Sequence, residues 1–93
     1  MRHVILLFVA TLMLSSDIAS AETGLDFMRL DTYDRTKILE PYILDYVAEG
    51  YRNVPDQFDL SIEVANSIRK DGSGRIDLKL IAIETAKRMG MSK

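Results

Sequence analysis

The sequence contains no cysteine and no tryptophan, and its single histidine is His3. Without cysteine there is no disulfide framework, the usual reinforcement of small secreted domains. Without histidine or cysteine in the body of the chain, zinc centres, Cys–His pairs and Ser–His–Asp triads have no ligands or bases. An enzyme is therefore not expected, and no cofactor is implied. Neither sign of charge dominates, since 12 Lys and Arg stand against 14 Asp and Glu for a net of −2. The charges are interspersed, and no basic stripe exists to follow phosphates, so nucleic acid is not an expected partner. Strand-like alternation, internal repeats and low-complexity tracts are also missing.

The only long apolar run is Val4 to Leu14, VILLFVATLML, which follows the basic opening Met1-Arg2-His3. A membrane-spanning helix needs about 20 apolar residues, and this run is roughly half that length. Polar Ser15-Ser16-Asp17 and the small-x-small tract Ala19-Ser20-Ala21 come next, the pattern signal peptidase reads. Residues 1–21 are thus expected to be a cleaved secretory signal peptide that leaves no membrane anchor. Residues 22–93 would form a single small helical domain, periplasmic or secreted from a bacterium. Removing Arg2 and Asp17 with the leader leaves 11 basic and 13 acidic residues in a chain of 72. That is near the lower limit for a stable single core. Stability then falls to close helix packing, a partner or a bound ion, and a protein partner or homodimer is expected.

What is present reads as helices. Thr23 caps a short first helix from Gly24 to about Leu30, with Asp26 in its first turn and Phe27 plugging one end of the core. Asp31-Thr32 starts the principal helix, Thr32 to Tyr51, whose seam of Ile38, Leu39, Tyr42, Ile43, Tyr46 and Val47 steps by four. Tyr42 and Tyr46 are expected in the core with hydroxyls near the rim. Pro41 interrupts this helix, and because the seam keeps phase through it, a kink is favoured over a break. A third helix runs from Asp56 to about Lys70. It carries Phe58, Ile62 and Ala65 on one side and Leu60, Val64 and Ile68 on a neighbouring side, so burial on more than one side is expected. Asp77 caps a fourth helix, Leu78 to Met89, stopped by a left-handed Gly90 with Met91 folding back. The expected fold is all-α, a small bundle of about four helices, the second long and kinked or broken near Pro41. The apolar surplus nominates Leu60, Val64, Leu80 and Ile83 as a partner-binding surface.

Two short motifs bear on chemistry. Ser67-Ile68-Arg69-Lys70 matches the Ser-x-x-Lys pattern of penicillin-binding enzymes, but its companion motifs are absent and the domain is too small for that cleft. The tract Asp71 to Asp77, DGSGRID, follows the middle of an EF-hand calcium loop, with Asp71, Ser73 and Asp77 on coordinating positions and Gly74 on the obligatory glycine. Its first and twelfth positions are Arg69 and Leu80, which removes half the ligands. The simpler reading is an interhelix turn whose Asp77 is an N-cap.

The run Gly24 to Asp31, GLDFMRLD, with Asp26, Phe27, Met28, Leu30 and Asp31 on the matching positions, resembles the opening of HdeA/HdeB-type periplasmic acid-stress chaperones. Tyr42-Ile43 matches a tyrosine–aliphatic pair that follows in that family. The chain departs from it in having Gly24 where the first disulfide cysteine would fall. Small helical immunity proteins of bacterial secretion systems share the same layout. The resemblance implies an all-helical fold and an acid-triggered, non-catalytic role on other proteins. With every carboxyl protonated, the net charge would approach +11 and self-repulsion would open the fold. An immunity or inhibitor protein for one toxin or enzyme remains the alternative, and a calcium-binding module a third.

Overall fold

A computed structural model describes residues 21–93. The leader and its cleavage pattern up to Ser20 lie outside the described residues. Among those described there are no strands, and five helical segments succeed one another. They are α1 (Gly24–Met28), α2 (Thr32–Ile38), α3 (Glu40–Ala48), α4 (Gln57–Asp71) and α5 (Leu78–Arg88). Segments α2 and α3 are the expected second helix in two pieces, so the layout is a small all-α bundle of four helical arms. No helix among these residues is long and apolar enough to cross a membrane.

The division falls at Leu39, and proline chemistry explains it. Leu39 donates to the Thr36 carbonyl in a tight 3.3 Å turn, and α3 restarts with Pro41 as its second residue. The first turn of a helix has free N–H groups in any case, so proline forfeits no hydrogen bond there. The Thr36 carbonyl also accepts from the Gln57 amide at 2.7 Å, which ties the end of α2 to the start of α4. The seam keeps phase because Leu39 stays helical in its own angles while sinking fully into the core. A break at this point serves better than a bend.

Residues Phe27, Leu39, Leu60, Val64, Leu78, Ala82 and Ala86 are fully buried and form the centre of the core. Helix α4 turns Leu60, Ser61, Val64, Ala65 and Ile68 inward, and α5 answers with Leu78, Ile81, Ala82, Thr85 and Ala86. Small residues on both faces allow the two axes to approach closely. As expected of a central helix, α4 packs against α1, α2 and α5, while Phe58 and Ile62 are exposed. Ser61 is buried but satisfied, donating to the Phe58 carbonyl and sharing a hydrogen bond with Thr36. The stop of α5 follows its sequence: Gly90 takes φ +111°, its N–H and that of Met91 bond the Lys87 and Ala86 carbonyls, and Met91 is buried. That is a Schellman closure with its apolar contact.

Helix α1 has only five residues and cannot persist alone. A capping box holds its start: Thr23 Oγ1 accepts from Asp26 N, while Asp26 accepts from the amides of Glu22 and Thr23. Those amides hold the Asp26 carboxyl below its usual value. At the other end, the Arg35 guanidinium donates to the Phe27 and Met28 carbonyls and lies 5.8 Å from the Phe27 ring centre. Residues 22–25 are then strapped onto the α4–α5 loop by three backbone bonds, Gly24 N to Ile76 O, Leu25 N to Gly74 O and Leu78 N to Glu22 O.

Gly24 lies under this strap with no room for a side chain. A Cβ there would stand 2.8 Å from the Ser73 carbonyl and 3.0 Å from Ile81 Cδ1. Gly24→Ala is expected to destabilise the fold by about 1–3 kcal/mol through overpacking. Gly74→Ala, whose Cβ would meet nothing closer than Leu25 at 3.7 Å, should be nearly neutral. Urea midpoints of the two variants provide the comparison, and equal midpoints would show that the strap is not packed this tightly.

Candidate functional site

An open groove of about 350 Å³ lies between α3 and α5. From α3 and its cap come Tyr42, Asp45, Tyr46 and Glu49, which share one face because they fall at i, i+3, i+4 and i+7. From the α5 side come Asp77, Lys79, Leu80 and Ile83. The floor is apolar and aromatic. The rim carries three carboxylates and one amine.

The two tyrosines set the electrostatics of the floor. Burial, reinforced by the nearby Asp77 carboxylate, raises the Tyr42 phenol above its ordinary value. Tyr46 is only 4% exposed, and burial pushes its phenol up to about 12, with Tyr42, Tyr51, Asp45 and Glu49 adding to the effect. Its hydroxyl is fully buried and has no hydrogen-bond partner among the described residues. The expectation of a hydroxyl at the rim is thus not met by Tyr46. The Tyr51 ring packs edge-on against it at 5.9 Å, and this contact encloses the phenol.

Of the four residues nominated as a partner surface, two are in the groove and two are not. Leu80 is 52% exposed on its rim and Ile83 is half-buried in its wall. Leu60 and Val64 are corrected: both are completely buried in the core and unavailable to a partner of the folded molecule. Periodicity identified two apolar rows on α4 without revealing which one faces inward. The small residues Ser61 and Ala65 beside Leu60 and Val64 carried that signal, because a close helix–helix seam selects them. The acidic and aromatic face of α3 was the other missed feature, although its spacing was visible.

The Asp71 to Asp77 loop is occupied with structural work. Asp77 accepts from Lys79 N at 2.8 Å as the cap of α5, and Asp71 accepts from Ser67 Oγ at 3.3 Å. Ser73 O bonds Ile76 N, and the Gly74 and Ile76 carbonyls serve the α1 strap. Among the described residues no three His, Cys, Asp or Glu side chains are grouped to hold a metal ion. Gly72 takes φ +66° and terminates α4, as the turn reading expects. Ser67, the serine of the Ser-x-x-Lys match, also accepts from Arg88 at 2.8 Å and so links α4 to α5.

Fold and groove together define a small all-α protein with an apolar cleft rimmed mainly by acids. Comparison with known protein families, curated proteins and solved structures finds no match to this chain.

Proposed function

We propose that this protein is a non-catalytic binder of other polypeptides, delivered to the periplasm or cell exterior by its leader, and that the α3–α5 groove is its contact surface. The observation that supports this most directly is an exposed Leu80 and a half-buried Ile83 beside Tyr42 over an open apolar floor. Exposed apolar side chains gathered in a concavity lower their free energy when a partner covers them. The resemblance at Gly24 to Asp31 gives this role its acid-stress form, in which carboxyl protonation loosens the fold and widens the apolar surface. A second reading, an immunity or inhibitor protein for one toxin or enzyme, draws on the groove's modest volume, which suits one or two anchoring side chains.

Light scattering of an acid-unfolded model protein, at pH 2–3 and again on neutralisation, tests the proposal. The protein is expected to suppress aggregation, and Leu80→Asp, at an exposed position, to weaken suppression several-fold without loss of helicity. A client indifferent to the protein at both pH values rejects the chaperone role.

A further inference from the structure

The groove also carries information about what enters it. We propose that it takes a cationic polypeptide segment, seating an aliphatic or aromatic side chain between Leu80 and Ile83 with lysine or arginine on its flanks against Asp45, Glu49 and Asp77. This rests on the protein-binding reading above and adds the chemistry of the partner.

Size comes first. A dry cavity of about 150 Å³ holds a benzene-sized group, so about 350 Å³ accommodates one large side chain or two smaller ones. Charge comes second. Asp45, Glu49 and Asp77 are all exposed at the rim, and Lys79 is the one cation beside them. Asp45 and Glu49 are four apart on one helical face, a like-charged spacing that weakens a helix slightly. Local stability gives no reason for that placement, whereas a cationic partner does. Asp77 acts on the Tyr42 phenol, and Asp45 and Glu49 on that of Tyr46, so carboxylates stand close to the apolar floor. Such a rim attracts basic segments and repels acidic ones. It also disfavours a second copy of this chain, because two acidic rims would meet.

Fluorescence polarisation with three labelled ten-residue peptides tests this at pH 7. One has a Leu-Leu centre flanked by lysines, one has the same centre flanked by glutamates, and one has lysines without the leucines. The first is expected to bind at least about tenfold tighter than either other. The gap should narrow at 0.3 M salt, where the screening length falls to a few ångströms, and should close in the Asp45→Asn, Glu49→Gln double variant. Leu80→Ser should weaken the first peptide several-fold, with helicity checked by circular dichroism. Equal binding of the lysine- and glutamate-flanked peptides, lost in Leu80→Ser, overturns the cationic specificity and leaves the protein-binding reading standing. Binding by neither peptide overturns both. Lysine-driven binding insensitive to Leu80 overturns the proposal as a surface-charge effect. A peptide-free dimer in sedimentation equilibrium that Leu80→Ser dissociates overturns it in favour of self-association.

Discussion

Phe27→Ala is expected to cost about 3–5 kcal/mol, the range for emptying a fully buried phenylalanine site. At about 0.05–0.15 kcal/mol per residue, the residues from Glu22 onward hold only about 4–11 kcal/mol in total. The variant should therefore contain a substantial unfolded population in plain buffer, visible as lost helicity and an early, shallow urea transition. Phe27 has this leverage because it is the only fully buried side chain of α1. Its ring sits beneath the Arg35 guanidinium, and that guanidinium binds the carbonyls of Phe27 and Met28. Emptying the site releases both the short helix and the cation that closes it. Phe27→Leu keeps most of the volume and should cost far less. A Phe27→Ala midpoint close to that of the unmodified protein would show that α1 is peripheral.

Alkali should provide the second large effect. The ordinary tyrosine value is near 10, and the folded environment raises Tyr46 to about 12. A raised folded value means that the full stabilisation exists below pH 10 and is lost as pH climbs through 12. The loss amounts to roughly 2–3 kcal/mol from this one phenol. In Tyr46→Phe the loss should shrink to the smaller contribution of Tyr42, whose phenol is raised in the same direction. Urea midpoints at pH 9 and pH 11.5 for the two proteins isolate this phenol's contribution, because the rest of the chain is common to both. At neutral pH Tyr46→Phe should be stabilised by about 1 kcal/mol, since it removes a buried hydroxyl without a partner. Identical alkaline slopes in the two proteins would exclude Tyr46 as the group responsible.

Much of this architecture is written locally. Thr23, Asp31, Asp56 and Asp77 each accept from amides in the helix turn they precede, as their position before an apolar run suggests. Gly72 and Gly90 stop their helices for equally local reasons. The groove is different, because it is made by two helices that are neighbours in space only. Periodicity says that a row of side chains is apolar, and it is silent about what the row meets. Leu60 and Val64 illustrate this: the row read as a partner surface lies fully buried in one core with Phe27, Ala82 and Ala86. Gly24 was equally opaque. A glycine beside a helix cap is unremarkable until the Ser73 carbonyl is found 2.8 Å from where its Cβ would be.

The strap between residues 22–25 and the α4–α5 loop has a consequence for the order of assembly. Thr23 pairs with Asp77 across most of the chain, whereas α4 and α5 are joined by a short turn and can find each other locally. Closing a long loop costs chain entropy that a short one does not. The α4–α5 hairpin should therefore form early and the strap should dock late. Substitutions such as Val64→Ala should slow folding, while Gly24→Ala should act mainly by hastening unfolding. In a chain that emerges N-terminus first, residues 22–25 then wait for the α4–α5 loop before they have a place to bind.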